Sequence, residues 1–509
     1  MRNGRLSRRE MLKAMSLAAA GSTALPGFLT GCRQAGLSDQ ALEQAGLRRD
    51  ALDGKPRFLI VISAAGGASI VDSFLAVRAS ESNNAAKVNT FPDAQVQSVA
   101  GSPFRAVKVN ASALGSIPVP VNTDQLSFVQ KHAGEMLVAT TVSTSVNHVI
   151  AQKRSLTGNN TWKGRTLQEC VALQYGASFP IPNVNMGISG YAERGVDDLL
   201  PAYCYGELVQ NPSLWPLGLD GSRGLKYAPT NASLDLARAT RQQLDAQSIF
   251  GRTFADSKAL TRWNEQRTGS QAQLQTLDLI TRLNLLPNMP PQVPLTEYGL
   301  GTSPDAAQVT QVFPDFFTDP VQGQAALAFL LLKYRVSCSV TLGPGFNVVV
   351  GGANGLANPP LAFDFSHNDH RAAQAFMWAR ILGSLDKLIG LLKSEPFDAT
   401  QSLWDRTLIY VATDFGRTRT RPDNAETFGS GHDLNNGVLM LSPMLKGNTV
   451  LGGVDPNTAL TYGFDARTGR AQPGKMTSNE ADIFSGVLQT LAVDTSGSGL
   501  PDASAFVKG

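Results

Sequence analysis

Arg57-Phe-Leu-Ile-Val-Ile-Ser63 holds a strand's length of apolar residues without polar alternation, and Ala64-Ala-Gly-Gly-Ala-Ser69 follows at once. A strand with one wet face alternates, so a run like this must be covered on both faces, as in a parallel sheet between helices. Met136-Leu-Val-Ala-Thr-Thr-Val142 and Arg406-Thr-Leu-Ile-Tyr-Val-Ala412 repeat the pattern. An apolar helix at Ala325–Arg335 leads into Val336–Leu342 and Asn347-Val-Val-Val350. Met377, Ile381, Leu385, Ile389 and Leu392 then recur at helical spacing and give one apolar face. Alternating strand and helix predict an α/β fold with a doubly wound, mainly parallel sheet flanked by helices. Such sheets collect their chemistry at the carboxyl ends of strands. Residues 232–287, rich in Gln, Ala, Leu and Arg, lack a strand signal and read as an insertion of two or three helices.

The chain has 509 residues and a net charge of +3. Arg2, Arg5, Arg8, Arg9 and Lys13 against Glu10 give residues 1–31 a net +4, which leaves −1 for the remainder. The basic excess belongs to the N-terminus, and no tract suited to nucleic acid remains. The apolar run Met15–Leu25 falls short of the roughly 20 residues that span a bilayer and ends in small residues, as an export signal does. The expected organisation is a signal at 1–31, a linker at 32–55 and one folded domain at 56–509. Cys170, Cys204 and Cys338 permit at most one disulfide among them.

Of the five histidines, His148, His367, His370 and His432 lie just after expected strands or beside Gly-rich loops. Asp364-Phe-Ser-His367-Asn-Asp369-His370 puts two imidazoles one helical turn apart, Asp414 ends the Arg406–Ala412 strand, and His432 follows in Gly429-Ser-Gly-His432-Asp433. Asp364, His367, His370, Asp414 and His432 are therefore the candidate ligands of a divalent metal. Zinc is the expected ion, with calcium or another ion open. Asp433 and His132 read as ordinary surface groups. Thr144 and Ser145 precede His148 at an expected helix start, where a hydroxyl serves as a nucleophile or simply as an N-cap. Arg417 would pair with Asp414 or with an anionic substrate. The Gly66-Gly67 turn lacks a dinucleotide fingerprint.

Ser7-Arg8-Arg9-Glu10-Met11-Leu12-Lys13 resembles the twin-arginine export signal, and Leu29-Thr-Gly-Cys32 resembles a lipobox whose Cys32 is acylated. From about residue 56 to 493 the chain resembles the bacterial family catalogued as domain of unknown function 1501 (DUF1501), related to the sulfatases and alkaline phosphatases. Asp364-Phe-Ser-His-Asn368 is similar to its Asp-Thr-His-Ala-Asn element, and Thr413-Asp-Phe-Gly-Arg-Thr418 to its Ser-Glu-Phe-Gly-Arg-Thr. Asn147-His-Val-Ile-Ala-Gln152 resembles its Ser-His-Phe-Asp-Ala-Gln, and Leu156-Thr-Gly158 resembles the sulfatase Leu-Thr-Gly. The resemblance implies a sulfatase/alkaline phosphatase-like fold. It further implies a metal held by Asp364, His367 or His370, and His432, with Asp414 toward a second ion, and hydrolysis of an anionic phosphate or sulfate ester. Three positions depart from the superfamily pattern: Ser69 (with Asp72 nearby) for the first-strand aspartate, Asn147 for the hydroxyl nucleophile, and Phe415 for a histidine. They leave open a non-catalytic, lipid-anchored envelope protein that binds a partner on the same scaffold.

Overall fold

The computed structural model describes residues 54–108, 124–219, 226–257, 260, 261, 264, 277–289, 293–343 and 363–509. The signal, Cys32, most of the linker and Asn347–Val350 lie outside the described residues. The fold is α/β, with a large, mostly parallel central sheet flanked by helices.

The sheet is built from Phe58–Ala64 (β1), Met136–Val142 (β2), Asn183–Asn185 (β3), Glu207–Leu208 (β4), Ser339–Leu342 (β5), Thr407–Thr413 (β6), Asn435–Leu441 (β7) and Thr449–Leu451 (β8). Their order is β8-β2-β7-β6-β1-β5-β3-β4. All of β1 and β6 is buried, and the two pair in parallel from Phe58 opposite Thr407 to Ala64 opposite Thr413. This register puts the Gly66-Gly67 turn and Asp414 at the same sheet edge. β7 runs antiparallel to both β6 and β2. Its first residues therefore meet the carboxyl ends of β1, β2 and β6, and His432 arrives at that edge from the opposite chain direction.

The longer helices of this unit are Gln125–His132 (α1), His148–Thr157 (α2), Leu167–Tyr175 (α3), Pro320–Lys333 (α7), His370–Ser394 (α8) and Glu480–Thr490 (α9). α7 packs on α8, and α9 packs on α2 and α3. Asp319 caps α7 by accepting from the Val321 N–H, with Pro320 at the first position, where its missing N–H costs nothing. The helix thus starts five residues before the expected Ala325. Met377, Ile381, Leu385, Ile389 and Leu392 are all at most 2% exposed along α8. Burying such side chains stabilises by about 1.5–3 kcal/mol each.

Leu214–Ala307 contribute a second compact unit. It carries helices Asn231–Gln247 (α4), Ile249–Thr253 (α5) and Leu279–Leu283 (α6), and a ribbon of Asn288–Met289 with Val293–Pro294. Cys170, Cys204 and Cys338 are free, buried thiols, and burial pushes all three well above the ordinary thiol range. No helix among the described residues is long and apolar enough to cross a membrane.

Candidate metal centre

Four side chains from three distant segments meet at the carboxyl edge of the sheet. One ligand atom from each of His148, Asp364, His367 and His432 lies within 4.8 Å of the other three. His148 opens α2, where the Asn147 side chain caps the helix by accepting from the Ile150 N–H at 3.3 Å. Asp364 and His367 lie in a short 3-10 turn, Phe363–His367, just before α8. His432 pairs with Arg417 in a two-residue ribbon that leads into β7.

Two of the three imidazoles are oriented by what holds their other side. His432 Nδ1 lies 2.8 Å from the Val146 carbonyl, which only accepts, so Nδ1 carries the hydrogen and Nε2 presents its lone pair. That Nε2 is 2.9 Å from His367 Nε2. Two lone pairs at this separation repel, so a proton or a cation must lie between them. His148 Nδ1 faces Asp414 Oδ2 at 2.7 Å, and its Nε2 faces Asp364 Oδ1 at 3.2 Å. Burial opposes the charge on His148, and the two carboxylates outweigh it, raising its pKa to about 9. Burial likewise opposes the Asp364 charge, while His148 and Arg417 hold its carboxyl well below the usual range. His367 and His432 are lowered, first by burial and then by neighbouring positive charge. The described residues thus contain a His/Asp set whose donor chemistry fits a metal ion.

Asp414 stands behind this set. Its carboxylate accepts from the Gly66 N–H at 3.0 Å, the Gly67 N–H at 2.6 Å and the Phe415 N–H at 3.2 Å, besides His148. Gln152 Nε2, one turn after His148 on α2, adds a longer contact at 3.4 Å. With its side chain fully buried and its lone pairs engaged, Asp414 orients the His148 ring. The sequence placed Asp414 among the ligands. The structure places it one layer out.

His370 does not join the centre. Asp369 caps α8 through the Ala372 N–H, so the helix begins at His370 and leaves His367 in the preceding turn. The one-turn spacing inferred from sequence does not apply across that boundary. His370 is fully buried, with Nε2 3.0 Å from Asp72 Oδ1 and Nδ1 2.8 Å from Ser430 Oγ. The Ser430 N–H in turn donates to the Ser366 carbonyl, which ties the His367 turn to the His432 loop.

Arg417 is also buried and is committed to the interior. Its Nε donates to the Gly66 carbonyl at 3.0 Å, one NH2 to Asp364 Oδ1 at 2.9 Å and the other to the Ser430 carbonyl at 3.3 Å. Its partner is Asp364, rather than Asp414 or a substrate. Thr144 Oγ1 donates to Glu480 at 2.9 Å, and Ser145 Oγ accepts from the Asn147 N–H at 3.1 Å. Neither hydroxyl belongs to the convergent set. Phe415 stacks on the His432 ring with centroids 4.1 Å apart and gives it an apolar floor. Gln152 and the Gly66-Gly67 amides were not foreseen as site groups. The i,i+4 spacing of His148 and Gln152 was the available signal for the former.

No family model matches the chain, and no curated protein matches it. Among solved structures, one titled "Crystal structure of Ps i-CgsB" is similar at 9% identity with a TM-score of 0.31. That alignment covers 88% of this chain and 75% of the other.

Proposed function

We propose that this protein is an exported hydrolase of phosphate or sulfate esters that uses one divalent ion on a sulfatase/alkaline phosphatase-like scaffold. The observation that carries this reading is the convergence of His148, Asp364, His367 and His432 within 4.8 Å at the carboxyl edge of the sheet. Three imidazoles and a carboxylate suit zinc, whereas calcium prefers oxygen donors. When bound, such an ion lowers the pKa of water and neutralises charge developing on an ester oxygen. Asp414 and the Val146 carbonyl preset two of the ring orientations, and Arg417 fixes Asp364. His367 and Asp364 have the most exposed side chains, at 44% and 36%, and mark the side from which an ester approaches. Thr144 and Ser145 lie outside the convergent set, so this reading takes water as the nucleophile. A second ion is not part of this reading, because Asp414 is saturated and Phe415 replaces a ligand.

The twin-arginine motif and Cys32 support export and lipid anchoring on the periplasmic face or the outer membrane. The test is metal analysis of the purified chain together with rates on 4-nitrophenyl phosphate and sulfate. Equimolar metal and turnover, both lost in His432→Ala, are the expected results. Absence of stoichiometric metal would overturn the reading. A non-catalytic envelope binding protein is favoured if all four side chains ligate together, since a tetrahedral ion then has no open position for water. Equimolar metal without turnover would select it.

A further inference from the structure

A cavity of about 200 Å³ lies beside β4, the last strand of the sheet, its neighbour β3 and the first turn of α3. None of the metal-centre residues lines it. Glu169, Gln168 and Asn183 form part of its wall and are at most 2% exposed, or 3% for Asn183. The Glu169 carboxylate accepts from the Thr166 and Gly195 N–H groups, each at 2.9 Å. It forms no ion pair among the described residues, and burial pushes its carboxyl above the usual range. Asn183 donates its amide N–H to the Cys204 carbonyl at 2.9 Å, and Gln168 Nε2 donates to Thr341 Oγ1 at 2.9 Å. Asn183 Oδ1 and Gln168 Oε1 have no hydrogen-bond partner among the described residues. The Cys204 carbonyl only accepts, so the Asn183 amide cannot turn over to exchange its ends.

The same cavity also carries a cation. Arg194 is exposed and lies over the Tyr205 ring, 5.2 Å from its centroid, with no carboxylate paired to it among the described residues. Glu193, the other carboxylate of the wall, is already paired with Lys153 at 2.9 Å. We infer that this cavity binds a small free α-amino acid, with its ammonium on Glu169 and Asn183 and its carboxylate on Arg194. A buried charge without a counter-ion and a buried acceptor without a donor each cost free energy. An ammonium has three donors and no acceptor, so it relieves both at once. A simple amine leaves Arg194 unused, a phosphate faces Glu169 with like charge, and a neutral polyol brings no counter-charge. The volume falls below the roughly 300 Å³ at which sites for drug-sized ligands begin, which suits a compact zwitterion. The inference is independent of the hydrolase reading.

The test is calorimetric titration of the full chain with glycine, L-alanine and L-serine, against methylamine and acetate, which carry the two charges separately. At least one amino acid is expected to bind with a Kd below about 1 mM, and about tenfold tighter than either single-charge probe. Arg194→Ala, at an exposed position, should weaken that binding about tenfold or more and leave the melting curve of the free chain unchanged. Glu169→Gln keeps an oxygen for a backbone N–H but removes the charge, and should weaken it likewise. If Glu169→Gln does not fold, Arg194→Ala decides alone. Absence of binding by all three amino acids overturns the inference. So does methylamine or acetate binding as tightly as the best amino acid, or an affinity unchanged in Arg194→Ala.

Discussion

His148 Nδ1 lies 2.7 Å from a carboxylate of Asp414 that is itself held by the amides of Gly66, Gly67 and Phe415. The contact fixes the ring so that Nε2 points at Asp364, and it connects the ends of β1 and β6 to the first residue of α2. Asp414→Asn keeps an oxygen for the glycine amides but removes the charge that orients His148. Zinc affinity, read by competition with a chromophoric chelator, is expected to fall about 10–100-fold. An unchanged affinity would mean that Asp414 serves the fold alone.

His370 and His432 predict opposite phenotypes. His370→Ala leaves Asp72 buried beside Arg419 without its histidine, which costs about 3–5 kcal/mol in denaturant unfolding. Zinc remains equimolar in the fraction that stays folded. His432→Ala, at a partly exposed position, loses zinc with a smaller effect on unfolding of the metal-free chain. Loss of stoichiometric zinc from folded His370→Ala would restore His370 to the ligand set.

Gly66 has a φ of +94°, and a Cβ there would lie 2.1 Å from the Asp364 backbone nitrogen. Gly66→Ala must therefore displace the turn that carries Asp364 and His367. A loss of at least about 2 kcal/mol in stability is expected, together with loss of zinc binding. Gly101→Ala, also at positive φ but in open space, should cost only the backbone strain and leave zinc binding intact. Thermal melts and metal analysis of the two variants separate site disruption from general strain.

Glu135 gives a pH dependence remote from the centre. Burial opposes its charge, but His132, Lys393 and Trp404 outweigh that and lower its pKa from 4.5 to about 2. A depressed carboxyl contributes stability that is fully present above the unfolded value near 4.5 and is lost as pH falls through about 2. After allowance for solvent screening, Glu135→Gln should destabilise by about 1–2 kcal/mol at pH 7. The difference from the parent chain should shrink steadily below pH 4.5, as urea midpoints across that range will show.

The long elements were legible because their patterns were strong. β1 and β6 carry unbroken apolar runs, β2 a mostly apolar one with Thr140-Thr141 near its end, and α8 a five-residue apolar stripe. β3 and β4 were not legible, since two or three residues carry no periodicity. β7 begins Asn435-Asn-Gly437, which reads as a turn, and sequence has no means of reporting that it runs antiparallel. At the centre, the residue types were legible and their layers were not. Asp364, His367 and His432 converge, and His148, read from sequence as part of a hydroxyl site, joins them. His370 and Asp414 differ from these only in where a helix cap falls and how many backbone amides converge, neither of which is visible in a motif.

The antiparallel course of β7 also bears on the order in which the molecule is completed. His432 and the Val146 carbonyl that orients it are 286 positions apart in the chain, and His432 reaches its place only after β7 has inserted between β2 and β6. Closing so long a loop carries a large entropic cost and belongs late in folding. A chain truncated before residue 435 would possess His148, Asp364, His367 and His432 and yet have no cage for an ion. In a chain that binds an ion here, metal uptake would report that β7 has been installed, and a ribosome-bound chain should take up none.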